Sequence, residues 1–384
     1  MRYIKYLKVQ TVLFLALVLG FLGCSKNEDK PIPDLWEPEP VAEITPYTSQ
    51  DATLAFDSFN DVFYNTEAKM YYTTSERNSM AEGWTQAVMY DIVMDAYIRT
   101  NDPNYLNMVN DFYNGASNAY SDWNWEDIKY VHGWIYDDMM WWVISLTRAY
   151  EITGNREYLD NAIAGFDFVW DEAYDEVNGG MIWSWKADGK VAAINYPTVV
   201  GAMKLYNISG NEEYLNKAKD VYQWADDNLY QEASGRVADH RVGDNPPGFE
   251  DYTYNQGTCI GASVMLFMAT NNSNYLEKAV KAADYTKNVM SNEDGILPAE
   301  GDWNEQGVLK AIFARYMQKL IKDGGQNQYT SWLQENATLA WHNRDENRDI
   351  MFRDYDVKAP ILTIQSYEAS SGVELMQVIP APGD

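Results

Sequence analysis

The stretch Thr153–Leu159, TGNREYL, separates two apolar segments and recurs three times with variations. Its counterparts are TNDPNYL at 100–106, SGNEEYL at 209–215 and NNSNYL at 271–276. Gly or Asn commonly ends a helix, and Asn or Asp commonly begins the next one. The stretch therefore predicts a tight turn between two helices.

The copies are regularly spaced. Their tyrosines, at positions 105, 158, 214 and 275, lie 53, 56 and 61 residues apart, which accommodates two helices and two connections per unit. Apolar residues recur at every third or fourth position through segment 83–97, and strand patterns are nearly absent. Residues 49–380 hold about six such units. We predict an all-α fold, an (α/α)6 toroid of six helical hairpins, rather than an open solenoid, whose repeats are usually shorter.

Two adjacent acids, Asp137 and Asp138, stand among aromatic residues in the run WIYDDMMWW at 134–142. The helical pattern that follows, to about Tyr150, places them at a helix N-terminus. Two carboxylates held together repel each other, so one is expected to keep its proton while the other ionises. A glycosidase requires this division between an acid and a nucleophile or base. Alternatively, the pair only stabilises the helix end, where acidic residues are favourable.

The composition favours a neutral carbohydrate ligand. Acidic residues number 57 against 29 basic ones, for a net charge of −28, which disfavours nucleic acid, anionic membrane surfaces and strongly acidic polysaccharides as partners. Aromatic residues make up 14%, including 14 Trp and 29 Tyr, and sugar rings stack on such side chains. The three histidines form no zinc-type spacing with cysteine, so no metal or cofactor is expected.

Further candidates for substrate binding stand near the predicted starts of inner helices or after the Gly pair at 179–180. Aromatic side chains there could stack on sugar rings, and amides could bind hydroxyl groups; the alternatives are packing and helix capping. These candidates are Trp84, Gln86, Trp183, Trp185, Asn195, Tyr254, Asn255 and Gln256.

Taken together, four runs resemble glycoside hydrolase family 76: YDD at 136–138, TYNQG at 253–257, LKAIFARY at 309–316 and WHNR at 341–344. The resemblance spans about 80–379. It implies an endo-acting α-1,6-mannanase that retains the anomeric configuration, with Asp137 as nucleophile, Asp138 as acid/base and α-mannan as substrate. Neighbouring aspartates can approach to the separation of about 5–5.5 Å that retention requires.

Two other functions remain open from the sequence. A non-catalytic glycan-binding lipoprotein on the same scaffold would not need both acids. An (α/α)6 glycosidase of other specificity would keep the pair and change the surrounding side chains. In each case we expect a monomer.

The N-terminus predicts export and lipid anchoring. Residues 1–24 combine a basic start with an apolar run at 11–22 that is too short to span a bilayer, as in a secretory signal. They end in Leu22-Gly23-Cys24, which resembles a bacterial lipobox, and the polar residues 25–30 that follow resemble the export signals of Bacteroidetes surface lipoproteins. We expect lipidation of Cys24, a Pro-rich tether over 25–48 and a catalytic domain over 49–380. The expected location is the outer membrane, facing the cell surface or the periplasm, with no membrane contact besides the lipid.

Overall fold

A computed structural model describes residues 44–187 and 189–384. The predicted signal, Cys24 and most of the tether lie outside these residues. Within them, no helix is long and apolar enough to cross a membrane. In chain order the helices are α1 (Ser49–Phe63), α2 (Gly83–Thr100), α3 (Pro103–Ala119), α4 (Trp125–Tyr130), α5 (Tyr136–Thr153), α6 (Arg156–Ala173), α7 (Ala192–Ser209), α8 (Glu212–Asn228), α9 (Thr253–Thr270), α10 (Ser273–Tyr285), α11 (Leu309–Lys322), α12 (Thr330–His342) and α13 (Ser366–Val378).

Six inner helices form a closed ring. Helix α2 contacts α5, and the contacts continue through α7, α9 and α11 to α13, which returns to α2. Helices α3, α6, α8, α10 and α12 run back along the outside, and α1 packs on α13. The inner helices are buried on nearly all sides, whereas the outer helices bury one face. The predicted (α/α)6 toroid is confirmed.

The sixth hairpin differs from the other five because it is assembled from both ends of the chain. Inner helix α13 pairs with α1, rather than with a helix that follows it. The Tyr47 hydroxyl donates to the Ile379 carbonyl at 2.7 Å, and the Gln377 amide donates to the Ala52 carbonyl at 2.8 Å. Ring closure is therefore a long-range contact that the repeat alone does not contain.

The repeated stretch forms the turn from an inner to an outer helix, as predicted. Asn101, Gly154, Gly210 and Asn271 end their helices in the left-handed region, with φ between 55° and 69°. The next residue is the N-cap of the outer helix, and its side-chain oxygen accepts a hydrogen bond from a first-turn amide. These two-residue turns lie at the C-terminal ends of the inner helices, so the longer loops lie at the N-terminal ends.

The longer loops carry three short antiparallel ladders. The ladders pair β1 (Tyr64–Asn65) with β2 (Met70–Tyr71), β3 (Lys190–Val191) with β6 (His240–Arg241), and β4 (Tyr230–Gln231) with β5 (Arg236–Val237). Each strand is two residues long, in keeping with the scarcity of strand patterns in the sequence.

A buried ion cluster joins four inner helices inside the ring. Asp91 and Asp95 of α2 face Arg148 of α5 and Arg315 of α11, with N···O distances from 2.5 to 3.1 Å. Arg315 also binds Glu374 of α13 at 2.9 Å. Burial raises the pKa of Glu374 well above its usual value, which favours its neutral form and brings the three acids closer to balance with the two arginines.

We expect Arg315→Met to lower the free energy of unfolding by about 3–5 kcal/mol, because it leaves buried carboxylates without their partner. Urea denaturation followed by circular dichroism measures the loss. The matched control is Arg156→Met, which breaks an exposed pair with Asp160 on α6 and should cost less than about 1 kcal/mol. Equal losses in the two variants would show that the cluster does not hold the ring.

Candidate active site

The N-terminal ends of the inner helices converge on a cavity of about 260 Å³. A helix N-terminus carries a partial positive charge of about +0.5, so several such ends around one cavity favour carboxylates there. The cavity is lined by Trp84, Ile135, Asp137, Asp138, Trp141, Ala193, Tyr252, Tyr254, Glu305, Gln306 and Leu309.

Asp137 and Asp138 occupy the second and third positions of α5 and face this cavity. The carboxylate of Asp138 accepts a hydrogen bond from the Ile135 amide at 3.1 Å. The carboxylate of Asp137 accepts one from the Asp138 amide, also at 3.1 Å. The first turn of α5 thus fixes the orientation of both acids.

Burial raises the pKa of both acids. The pKa of Asp137 lies well above its usual 3.8, first because of desolvation and then because of the Asp138 charge; Asp239 raises it further. Desolvation raises the pKa of Asp138 to about 6, although the hydrogen bond from the Ile135 amide acts in the opposite direction. The pair therefore keeps about one proton near neutral pH, which provides one acid and one carboxylate.

Aromatic side chains form the walls beside the pair. Trp84 of α2 and Trp141 of α5 lie with ring centroids 6.4 Å apart. Tyr252 and Tyr254, at the start of α9, lie 6.1 Å apart. The structure thus brings two of the predicted substrate residues, Trp84 and Tyr254, to the cavity.

Three predicted substrate ligands are structural instead. Gln86, Asn195 and Gln256 are fully buried, and each amide binds backbone groups of the loop that precedes its helix. Gln86 exchanges two hydrogen bonds with Tyr71, and Asn195 exchanges two with Met181. The Gln256 amide, in its satisfied orientation, binds the Gly235 carbonyl and the Val237 amide at 3.0 and 2.9 Å.

These predictions were wrong because all three amides occupy the fourth position of their helices and face the preceding loop rather than the cavity. Helix α9 begins at Thr253, and α7 begins at Ala192 and contains Pro197. The amides therefore lie within the helix, where they face the loop backbone. Asn336 of α12 binds the Leu297 amide and the Gly295 carbonyl in the same way.

Asn255 was predicted to bind substrate, but it is buried and does not face the cavity. Its amide donates to the Asp239 carboxylate at 3.1 Å, and the other Asp239 oxygen lies 3.0 Å from His240 Nδ1. Asp239 in turn acts on Asp137 through its charge. Asn255 thus positions a third acid behind the pair, and the sequence analysis missed that acid.

Trp183 and Trp185 lie beside the cavity, in the loop before α7. The Trp183 carbonyl accepts from the Tyr136 amide at the start of α5, at 3.2 Å. The Trp185 indole donates to the Trp134 carbonyl at 3.1 Å, and the side chain is 41% exposed. Neither residue is among those that line the cavity; Trp185 is exposed next to the segment before α5, and Trp183 supports the first turn of α5.

Sequence reasoning missed Glu305 and Gln306, which line the cavity just before α11. The sequence did contain a signal for them: they directly precede the helical run at 309–316, and Tyr254 was predicted because it stands at the start of the preceding inner helix. Among the described residues, no group of His, Cys, Asp and Glu has an arrangement that could hold a metal ion.

The sequence profile of glycosyl hydrolase family 76 matches residues 47–378. The chain belongs to this family. Among curated proteins, none matches the sequence significantly. The matched residues include every helix of this chain from α1 to α13, and therefore the contact between α1 and α13 that closes the ring.

Solved structures of similar proteins share the fold. The GH76A alpha-1,6-mannanase of Salegentibacter sp. HEL1_6 is 26% identical, with a TM-score of 0.78 over 86% of this chain and 98% of that chain. An inactive variant of that enzyme, with two adjacent aspartates changed to alanine, was solved in complex with alpha-1,6-mannotetrose; it is 26% identical, with a TM-score of 0.77 and the same coverage. The Lin0763 protein of Listeria innocua is 27% identical, with a TM-score of 0.76 over 86% and 96% of the two chains.

The raised pKa of Asp137 predicts that this family 76 site costs stability. The unfolded state loses this proton near pH 4, whereas the folded state keeps it up to its raised pKa, so the free energy of unfolding falls as the pH rises between these two values and stays low above them. Asp137→Asn carries no charge, so we expect it to melt at a higher temperature than the parent at pH 8 and at the same temperature at pH 4.

Thermal unfolding at the two pH values tests this. Asp160→Asn, on the exposed face of α6, is the control and should not reproduce the pH dependence, because its carboxylate remains in water. If the Asp137→Asn variant instead shows the same drop in melting temperature at both pH values, the prediction is contradicted.

Proposed function

We propose that this glycoside hydrolase cleaves α-1,6-mannosidic linkages within mannan chains, with retention of configuration. The observation that carries the proposal is the pair of adjacent aspartates, Asp137 and Asp138, in the first turn of an inner helix and facing an aromatic cavity. Support comes from the Salegentibacter enzyme, an alpha-1,6-mannanase whose inactive variant lacks two adjacent aspartates.

In the free protein the higher pKa of Asp137 places the pair's one proton there, so the proposed mechanism requires that substrate binding moves it to Asp138. Ionised Asp137 then attacks the anomeric carbon while protonated Asp138 gives its proton to the glycosidic oxygen. The C–O bond to the departing chain breaks, and a mannosyl ester forms on Asp137. Asp138, now a carboxylate, takes a proton from water, whose oxygen attacks the anomeric carbon and releases Asp137. The two inversions restore the original configuration, and the pair returns to its one-proton state.

The cavity suits a neutral sugar chain. Trp84, Trp141 and Tyr254 offer aromatic faces, and Glu305 and Gln306 offer groups that can bind hydroxyls. Acids dominate the surroundings of the pair, since Glu82 and Glu305 also raise the pKa of Asp138. A neutral polymer approaches such a site without Coulomb repulsion.

Incubation with linear α-1,6-mannan, followed by chromatography of the oligosaccharide products, tests the activity. We expect Asp137→Asn and Asp138→Asn each to lower the rate by about a thousandfold, because each removes an acid or a nucleophile. Asp127→Asn, an exposed acid in the first turn of α4, is the matched control and should keep full activity. NMR of the first product should show the α-anomer, and an initial β-anomer would exclude retention.

Azide rescue of Asp137→Ala and Asp138→Ala on a mannoside with an activated leaving group separates the two roles. If Asp137 is the nucleophile, its variant should form the β-mannosyl azide by direct displacement. The Asp138→Ala variant should form the α-azide, because azide then attacks the ester on Asp137. The opposite pair of products would assign the nucleophile to Asp138.

We also propose that the mature protein is anchored by lipid at Cys24, in the outer membrane. The motivation is the Leu22-Gly23-Cys24 run followed by a Pro-rich segment. Cys24→Ala should release the protein from membrane fractions or block its maturation. Normal processing together with membrane retention of this variant would contradict the anchor. Protease treatment of intact cells distinguishes the cell surface, where the protein is cut, from the periplasm, where it is protected.

A further inference from the structure

A second cavity of about 520 Å³ opens among the same set of loops as the catalytic one. Its walls come from the loop between α6 and α7, the last turns of α8 and the loop before α9. Ligand cavities in proteins typically measure about 300–1,000 Å³, so this one is large enough for a sugar unit. The side chains that carry the argument are Asp175, Lys190, Trp224, Asn228, Arg241 and Asp244.

The β3–β6 ladder connects the two cavities. Lys190 and Arg241 are paired residues on this ladder, and both line the second cavity. Ala193, three residues after Lys190, lines the catalytic cavity. Three residues span at most about 11 Å, so the walls of the two cavities lie within about 11 Å of each other at this ladder.

Trp224 of α8 forms a fixed aromatic wall. A Cβ atom on Gly180 would lie 2.3 Å from the Trp224 ring, so the loop can pack on the indole only with glycine at this position. The Lys190 ammonium lies 5.1 Å from the ring centroid. The indole is thus held in place before any ligand binds, which keeps the entropy cost of binding low.

The charged groups are close to balance, and one of them retains hydrogen-bonding capacity. Lys190 pairs with Asp175 at 2.8 Å, and Asp175 also accepts from the Val177 and Asn178 amides. Arg241 donates to Asn228, and within the described part of the chain no carboxylate lies within 4.0 Å of its guanidinium. A guanidinium has five donor hydrogens, so Arg241 can bind further acceptors in the cavity.

We propose that this cavity is a second carbohydrate-binding site, which holds a mannosyl unit of the polymer away from the catalytic pair. The sugar identity rests on the proposed function. Arg241 and Asp244 would bind hydroxyl groups as donor and acceptor, and Trp224 would contact the apolar face of the ring. By holding the polymer at a second point, the site raises the local concentration of the chain at the catalytic cavity.

A neutral ligand fits better than a phosphate group. The cavity carries two acids as well as two bases, and Lys190 is already neutralised by Asp175. A phosphate would meet one unpaired cation and the carboxylate of Asp244. A hexose can use both the donors and the acceptors.

Calorimetric titration with α-1,6-mannotriose tests the site. The titrated protein is the Asp137→Asn/Asp138→Asn variant, which cannot consume the probe. We expect two binding sites per chain. Adding Arg241→Gln should weaken one of them at least tenfold, whereas Arg156→Gln on the exposed face of α6 should leave both intact. A single site in the Arg241-intact protein, or two unchanged sites after Arg241→Gln, would overturn the proposal.

A second variant guards against an indirect effect of Arg241→Gln on the fold. Asp244→Ala changes an exposed side chain of the cavity rim and should also weaken the second site. If Asp244→Ala leaves the site unchanged and Arg241→Gln lowers the melting temperature, the effect of Arg241 is structural and the proposal fails. Inorganic phosphate is titrated in parallel. If phosphate binds in an Arg241-dependent way and the trisaccharide does not bind, the cavity is an anion site and the proposal is overturned.

The active enzyme separates this proposal from the proposed function. If it leaves α-1,6-mannan intact, the proposed function fails, whatever the number of binding sites. If it cuts mannan, Arg241→Gln should raise the KM for the polymer severalfold more than the KM for α-1,6-mannotriose. Equal changes in the two KM values would overturn the second site while leaving the activity in place.

Discussion

Closure of the inner ring is the constraint on which the rest of the molecule depends. Helix α13 must contact both α11 and α2, and α1 must cover it from the other end of the chain. The cluster of Asp91, Asp95, Arg148, Arg315 and Glu374 ties the two ends together through four inner helices. A buried pair is costly when one partner is missing, so the cluster penalises arrangements in which the ring is open.

The closed ring brings several helix N-termini to one place. This end of the ring holds Asp137 and Asp138. The charges of three further acids, Glu82, Asp239 and Glu305, also act on this pair. The helix dipoles favour the negative charge, while burial and mutual repulsion raise the pKa values. The outcome is a pair with one proton, held at a cost in stability that the large buried core can offset.

The loops that enter the inner helices are held by buried amides. Gln86, Asn195 and Gln256 each bind the backbone of the loop that precedes their helix, and Asn336 of outer helix α12 binds the loop before α11. Polar groups buried in this way must be paired, and each pair fixes a loop relative to its helix. The same loops carry most of the walls of the second cavity, whereas Trp84, Trp141 and Tyr254 of the first cavity stand on the inner helices.

The sequence by itself determined the helical hairpins, their turns and the adjacent acidic pair at a helix start, because each rests on local chemistry. Asn or Gly at a left-handed helix end, followed by a capping residue, is recognisable within seven residues, and adjacent aspartates are adjacent in any fold. Only the tertiary structure decided that α1 completes the sixth hairpin, that Gln86, Asn195, Asn255 and Gln256 face inward, and that Asp239 and Glu305 join the site. An amide near a helix start has the same local pattern whether it binds a sugar or a backbone group. Its role depends on which loop packs against it, and that is fixed by contacts between residues far apart in the chain.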